Sequence, residues 1–280
     1  MHANGSTKGS ILITGCSSGI GKVSALGLRQ RGYRVFATAR KKTDVEQLEQ
    51  EGLEAFRLDL ADSSSIRHAL DAVYDRSEGM LDALFNNGAF GQPGAVEDLS
   101  RAMLREQFET NFFGTHELTN LVLPKMRAQG HGRILYNSSV LGLVALKFRG
   151  AYNASKFALE GLVDTLRMEL HGTNIQVVLI EPGPILTEFR KNALQLYKAN
   201  IDSEKSPFRE YYRVMEERLS HEGAAVPFTL PPEAVLKKVI SALEAPRPKI
   251  RYYVTFPTYL FGGLRRILPD RAMDWILRRV

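Results

Sequence analysis

The stretch Ile11-Leu12-Ile13-Thr14-Gly15-Cys16-Ser17-Ser18-Gly19-Ile20-Gly21 decides how the rest of the chain is read. An apolar run stops at a glycine-rich turn, and Lys22 to Gln30 continues with helical apolar spacing through Val23 and Leu26. A strand that feeds a helix through such a turn presents free backbone N–H groups and the positive end of a helix dipole, the arrangement that holds a phosphate. Glycine lets the backbone approach a pyrophosphate where a side chain would block it. The spacing here is G-x-x-x-G-x-G, not G-x-G-x-x-G. Taken alone, the turn serves equally well as a tight strand–helix connection.

Beyond Gly32 the pattern alternates. Arg34 to Thr38 reads as a second strand, and Thr43-Asp44-Val45-Glu46 as a capping box opening a helix that Gly52 closes. Leu53 to Leu58 is a third strand, Ile66, Leu70 and Val73 stripe a helix, and Leu81 to Phe85 is a fourth strand ending in Asn86-Asn87-Gly88-Ala89. A long helix runs from near Ser100 to Met126, followed by a strand at Arg133 to Asn137, a helix at Tyr152 to Leu170 and a strand at Ile175 to Ile180. Strands alternating with helices imply an α/β fold with right-handed crossovers, one doubly wound parallel sheet of about seven strands covered on both faces. From Thr187 to Pro231 the alternation lapses around Pro207, Gly223 and Pro227, with apolar groups scattered at Phe189, Leu194, Leu196, Phe208, Tyr211, Tyr212 and Met215. Such an insertion reads as a substrate lid or as a plain surface elaboration. Pro232 then opens a helix through Val235, Val239 and Leu243, and Arg251 to Thr255 is the last strand. The expected organisation is a single domain over 1–280: a flexible 1–9, a core at 10–187, a lid at 188–231, a last helix and strand at 232–257, and a tail at 258–280.

Of the residues, 44% are hydrophobic, enough for a sizeable core. The one cysteine, Cys16, allows neither an intrachain disulfide nor a cysteine-based zinc site, and fits a reducing cytoplasm. His68, His116, His131, His171 and His221 have no metal-ligand spacing, so no metal is expected. Met1 to Gly9 lacks the apolar segment of a signal peptide, and no apolar run reaches the length of a membrane span. From Pro246 onward eight cations stand against two acids, which accounts for the whole net charge of +6. A nucleic-acid binder would spread its basic residues over a face of the domain, and none is expected here.

Tyr152 and Lys156 stand at i and i+4 and share a helix face. A free phenol, with a pKa of about 10, is a poor acid at neutral pH, and a neighbouring ammonium favours its ionised form. The pair follows Asn137-Ser138-Ser139 at a strand end, where open α/β sheets bind their ligands. Ser138 also reads as a residue that satisfies local backbone groups.

These residues resemble the short-chain dehydrogenase/reductase family from Ser10 to Thr187. Thr14-Gly15-x-x-x-Gly19-Ile20-Gly21 is similar to its cofactor turn, and Tyr152-x-x-x-Lys156, with Ser139 thirteen positions earlier, to its catalytic set. Asn111 in Asn111-Phe112-Phe113-Gly114 completes the tetrad, Asp59 in Leu58-Asp59-Leu60 matches the acid at the adenine, and Pro182-Gly183-x-x-x-Thr187 matches the segment that holds the carboxamide. The resemblance implies a Rossmann-like domain in which Tyr152 is the proton donor, Ser139 binds the carbonyl oxygen, Lys156 lowers the Tyr152 pKa and holds the ribose, and Asn111 positions a relay water. It also implies cofactor contacts from Gly15, Ser17, Ser18, Gly19, Ile20, Gly21, Arg40, Asp59, Leu60, Asn87, Gly88, Tyr152, Lys156, Pro182, Gly183, Ile185 and Thr187. One departure is the order Gly88-Ala89, where the family has alanine before glycine. Within the family, Ile180-Glu181-Pro182-Gly183-Pro184 and Pro248-x-x-Arg251-Tyr252 are similar to the hydroxysteroid and retinol dehydrogenase branch and to bacterial NADP-dependent aldehyde reductases of the YbbO type.

Cofactor choice is read from Thr38-Ala39-Arg40-Lys41-Lys42. Ala39 stands where an NAD enzyme places an acid, and Arg40 suits a 2′-phosphate, so NADP(H) is expected in preference to a merely solvated basic turn. The activity expected is interconversion of apolar aldehydes or ketones with alcohols. A non-catalytic NADP(H) sensor is the alternative, and its mark would be loss of Tyr152, Lys156 or Ser139, all of which are present. The lid residues Phe189, Leu194, Tyr211, Tyr212 and Met215 are expected to close an apolar pocket. In the tail, Leu260, Leu264, Ile267 and Leu268, then Met273, Ile276, Leu277 and Val280, recur at helical spacing among Arg265, Arg266, Arg278 and Arg279, near Trp275. Packing on the domain or within a homo-dimer or tetramer is the expectation for these stripes; a weak peripheral contact with an anionic membrane is the alternative.

Overall fold

The computed structural model describes residues 8–221 and 223–280, so all but two positions of the expected flexible 1–9 segment lie outside the described residues. Seven strands form one parallel sheet in the order β3-β2-β1-β4-β5-β6-β7. The elements run β1 Ser10–Ile13, α1 Gly19–Gln30, β2 Arg34–Ala39, α2 Lys42–Gln50, β3 Glu54–Arg57, α3 Ser63–Arg76 and β4 Ala83–Asn86. They continue with α4 Arg101–Phe108, α5 Thr115–Ala128, β5 Gly132–Asn137, α6 Gly150–Glu169, β6 Ile175–Glu181, α7 Phe189–Asn200 and α8 Arg209–Ser220. Last come α9 Glu233–Glu244, β7 Arg251–Tyr253, α10 Phe256–Ile267 and α11 Asp270–Leu277.

Both faces of the sheet are covered, which is why its central strands read as nearly continuous apolar runs. Alternation sorts the side chains. Leu12, Phe36, Leu84, Ile134 and Leu179 face α3, α5 and α6, while Ile11, Ile13, Val35, Phe85 and Ile180 face α1 and α9. The strand order reverses between β1 and β4, and the crevice at their carboxyl ends is where an open sheet of this kind takes a ligand.

Three local expectations are corrected. α2 begins at Lys42 with Lys41 as its N-cap, and no side chain caps it. The Asp44 and Val45 N–H groups already bond the Lys41 carbonyl, so Thr43 lies inside the first turn and cannot act as the cap. The long helix beginning near Ser100 is two α-helices joined by a π-helical turn, Glu109–Gly114. A side chain on Gly114 would overlap the Leu60 carbonyl, so this turn is shaped by a neighbouring loop as well as by its own sequence. The interrupted segment after Thr187 contains two helices, α7 and α8, with Pro207 before the second and Gly223 after it. Their inner face is a small core of Tyr197 and Tyr212 with Ala95, against which Leu194 and Met215 pack.

The tail is helical, as its spacing predicts, and is divided at Pro269. It packs on the domain through Met273, which is buried, and Lys147 Nζ donates to the Arg278 carbonyl (3.1 Å). Leu260 and Ile267 of the expected stripe are left uncovered by the domain and face outward. Among the described residues no helix is long and apolar enough to cross a membrane.

Candidate active site

The carboxyl ends of β1, β4 and β5 are laced together beside the glycine turn. Thr14 Oγ1 accepts the N–H groups of Asn87 (2.9 Å) and Gly88 (2.8 Å). Asn87 Nδ2 donates to the Thr14 carbonyl (2.8 Å), and Asn137 Nδ2 donates to Asn87 Oδ1 (2.9 Å). The Asn87 side chain is therefore committed to building the turn. Gly15 has φ +70°, and a Cβ there would lie 2.7 Å from the Gly88 Cα. A Cβ on Gly21 would overlap the Gly15 carbonyl. The exchange of Gly88 and Ala89 is accommodated, because Gly88 makes the close approach and Ala89 keeps away from positive φ.

Ser18 precedes α1 in extended conformation and caps none of its N–H groups, and no acid occupies the first turn. These donors are left for an anion. Ser17 is exposed at the same turn, whereas Ile20 is half-buried and packs against the core. Cys16 is buried, donates to the Ile13 carbonyl (3.2 Å) and has its thiol pushed up to about 12 by burial, so it is a filler and not a reactive group.

Arg40 is exposed at the end of β2, and its side chain makes no hydrogen bond or ion pair among the described residues. Arg57 Nε donates to the Arg40 carbonyl (3.2 Å), bringing a second guanidinium to this corner. The pairing of Ala39 with Arg57 across β2 and β3 places it there, a register that linear spacing does not reveal. Asp59 Oδ1 accepts the Ala61 N–H (3.0 Å) and shapes its own turn. Leu60 is buried against Gly88. After β6, the Pro182 carbonyl accepts the Val140 N–H (2.8 Å), Gly183 makes room for the Thr255 side chain, Ile185 bridges to Leu230, and Thr187 packs on Gly19. The expected cofactor residues thus gather at one end of the sheet, with Ile20, Leu60 and Asn87 contributing mainly structure.

Tyr152 and Lys156 share one face of α6. Lys156 is buried, donates to the Asn137 carbonyl (2.7 Å), and its Nζ lies 5.6 Å from the Tyr152 ring centroid. Burial pushes the Tyr152 phenol up to about 12, against the opposing pull of the Ser139 hydroxyl and the Arg149 charge. Burial likewise pushes Lys156 down to about 8, with Glu160 pulling it back up. In the protein alone desolvation dominates both shifts. Ser139 Oγ accepts the Leu141 N–H (3.1 Å). Asn111, in the π turn, accepts the Phe90 N–H (3.1 Å) and donates to the Phe90 carbonyl (2.9 Å) and Ser155 Oγ (3.2 Å), so its amide positions the 90s loop.

Of the five expected lid residues, only Phe189 touches the catalytic set. Its ring stands edge-on to Tyr152 at 5.4 Å. Tyr212 is fully buried: its hydroxyl accepts the Ala95 N–H (2.8 Å) and donates to Asp98 (2.6 Å), latching α8 to the 90s loop. Leu194 and Met215 pack beneath, and Tyr211 is exposed. Phe148, held at φ +60°, lies edge-on to Phe208 and tilted against Tyr211 and Tyr212, with ring centroids 5.7 Å apart in each pair.

Behind Lys156 lies a cluster that local reading misses. Arg251 Nε meets Glu181 (3.0 Å), while its Nη2 meets Glu160 (3.0 Å) and Asp164 (2.7 Å). Glu181 has no exposure and is pushed up to about 9 by burial and the Glu160 charge. Glu181 and Arg251 stand out in the two branch-like runs, but nothing local pairs them.

A family profile of short chain dehydrogenases matches residues 10–197. The uncharacterized oxidoreductase YbbO of Escherichia coli (strain K12) is 45% identical over 269 residues, covering 96% of this chain and 94% of that one. Retinol dehydrogenase 8 of Bos taurus is 35% identical over 257 residues, covering 86% of this chain and 80% of its own length. An actinorhodin polyketide ketoreductase solved with NADPH superposes with a TM-score of 0.71 at 27% identity, covering 88% of this chain and 95% of that one. The glycine turn and the Asn111, Ser139, Tyr152 and Lys156 set all lie within the matched residues, and the chain belongs to the short-chain dehydrogenase family of oxidoreductases.

Proposed function

We propose that this protein is an NADP(H)-dependent oxidoreductase that reduces apolar aldehydes or ketones, such as fatty, retinal-like or steroid-like carbonyls, and oxidises the corresponding alcohols. The observation that carries this reading is the placement of Tyr152, Ser139 and Lys156 at the carboxyl end of the sheet, beside a glycine turn whose first helix is uncapped. The turn fits a dinucleotide, because its walls leave no room for a Cβ at Gly15 or Gly21 and its free N–H groups suit a pyrophosphate. Arg40, with Arg57 beside it, suits a 2′-phosphate.

When bound, the nicotinamide supplies the hydride. Tyr152 Oη holds the proton that the developing alkoxide takes up, and the Ser139 hydroxyl binds the same oxygen. Lys156 fixes the Asn137 carbonyl and adds positive charge next to the phenol. Asn111 keeps the π turn and Phe90 in place. Phe189 covers Tyr152, and the α7–α8 pair over 188–231 acts as the lid that excludes water. The cytoplasm is the proposed setting and a homo-oligomer the proposed assembly, with the outward stripe of Phe256, Tyr259, Leu260 and Ile267 on α10 as the face for a second copy. A panel of aldehydes and ketones assayed by nicotinamide absorbance tests the reading. Turnover of long-chain carbonyls with NADPH in preference to NADH is expected, and no turnover of any carbonyl with either cofactor would overturn it.

A further inference from the structure

Three carboxyls meet one guanidinium behind Lys156. Arg251, on β7, sends its Nε to Glu181 Oε1 (3.0 Å) and its Nη2 to Glu160 Oε2 (3.0 Å) and Asp164 Oδ2 (2.7 Å). Nε and Nη2 form one edge of the guanidinium, an edge suited to gripping both oxygens of a single carboxylate. Here it takes one oxygen from each of two, so Glu160 and Glu181 are held side by side. Asp164 also meets Arg167 (2.6 Å), whereas Glu160 and Glu181 are buried and have no ion-pair partner but Arg251 among the described residues. Two carboxyls held together away from water do not both ionise. Glu181, which has no exposure and is pushed up to about 9, keeps its proton, and Glu160 is the ionised member.

Glu160 also belongs to the catalytic helix. It stands four residues after Lys156 on α6, so the two buried side chains share a helix face one turn apart. Its Oε1 is buried without a hydrogen-bond partner among the described residues, and so is Ser138 Oγ. Both lie against Gly142, where a Cβ would stand 3.3 Å from Glu160 Oε1 and 2.9 Å from Ser138 Oγ. The bare Gly142 thus lets the carboxyl rest under the turn that holds Lys156 through the Asn137 carbonyl and presents the Ser139 hydroxyl. The titratable groups around Lys156 and Glu160 are Tyr152 and Asp164 on α6, Arg149 just before it, Glu181 on β6, and Arg251 and Tyr253 on β7. The 138–142 turn brings no charge, and the acids and bases of α4 and of the π turn are exposed. A buried ammonium gives up its proton readily unless an anion stands near, and the Glu160 charge opposes that loss at Lys156.

We propose that Glu160 is a positioning residue for the reduction: tied by Arg251 and left ionised by its neighbour Glu181, it keeps Lys156 protonated beside Tyr152. This rests on the carbonyl-reductase reading and adds to it the source of the lysine's charge. The test compares the native protein with Glu160→Gln and Glu160→Asp. Glu160→Gln keeps the size of the side chain and removes its charge, so Lys156 should lose its proton at a pH lower by on the order of one unit. The alkaline limb of kcat for long-chain aldehyde reduction by NADPH should move down with it, leaving kcat about tenfold below native above both limbs and near native below them. Glu160→Asp keeps the charge and should restore most of the native profile. Lys156 is also read without substrate. In cofactor-free protein isotope-labelled at the lysine ε-carbon, the resonance that Lys156→Met removes should titrate at lower pH in Glu160→Gln than in the native protein. The native resonance should carry a second, smaller step on the acid side, where Glu160 takes up its proton, so the coupling is read even if Glu160→Gln does not fold. A single native step, an equal Lys156 titration in native and Glu160→Gln proteins, or a profile displaced alike by Glu160→Asp and Glu160→Gln overturns the proposal. No turnover of any carbonyl by the native protein overturns the reductase reading and the role built on it; the lysine titration, which needs no substrate, tells that failure from a failure of the coupling.

Discussion

Replacing Lys156 by methionine should remove activity and yet not weaken the cofactor-free fold at neutral pH. The native ammonium is 2% exposed and its pKa falls from 10.5 to about 8. Each tenfold in a protonation equilibrium is about 1.4 kcal/mol, so keeping Lys156 charged at pH 7 costs the fold about 3 kcal/mol. Lys156→Met removes that term and leaves the Asn137 carbonyl without its donor, a loss of about 1–3 kcal/mol. The variant is therefore expected to match the native protein or exceed it by up to about 2 kcal/mol. The sign with pH is fixed. Between about 8 and 10.5 the unfolded chain keeps the lysine proton and the folded one loses it, so native stability rises relative to the variant as pH rises through this window. Denaturant titrations of both proteins at pH 7 and near pH 10 read the difference, which should move in favour of the native protein at the higher pH. A variant less stable by more than about 3 kcal/mol at pH 7, with no change in the difference at high pH, would refute desolvation as the dominant influence on Lys156.

Three further outcomes follow from the geometry. Arg40→Ala should weaken NADPH by about ten- to a hundredfold and NADH little, read by fluorescence titration; equal losses would remove Arg40 from the phosphate site. Arg251→Met removes the donor shared by Glu160, Asp164 and Glu181; with Glu181 pushed up to about 9 and so neutral at pH 7, the loss should be about 1–3 kcal/mol in denaturant titration, whereas a loss above about 4 kcal/mol would mean that Glu181 is ionised in the fold. Tyr212→Phe removes the latch to Ala95 and Asp98, a loss of about 1–3 kcal/mol, and should increase hydrogen exchange in α7 and α8 before the sheet is affected; unchanged exchange there would show that the aromatic packing alone holds the pair down.

What could be read from the sequence was local or periodic. The apolar run through β1 and the glycines after it specify a strand and a close-approach turn by their own chemistry, and Tyr152 and Lys156 meet because a helix brings i and i+4 together. What could not be read depends on partners far along the chain. The π turn at Asn111 owes its shape to Leu60 and Phe90, and the cluster around Arg251 joins residues 70 to 91 positions apart. Arg57 reaches the Arg40 corner only through strand register. The α7–α8 pair was hidden because Pro207 and Gly223 look like interruptions when in fact they bound a helix. Spacing places the ammonium beside the phenol but does not show the burial that dominates both groups.

The most direct test of the proposed chemistry is single-turnover reduction of a long-chain aldehyde by NADPH, followed at the nicotinamide absorbance, in the native enzyme and in Tyr152→Phe. Tyr152→Phe removes one oxygen and leaves the ring against Phe189 and the glycine turn untouched. NADPH binding should be unchanged while the reduction rate falls by a factor on the order of a hundred or more, since only the proton donor is lost. A Tyr152→Phe enzyme that binds NADPH and reduces the aldehyde at the native rate would contradict the assignment of Tyr152 and, with it, the chemistry proposed here.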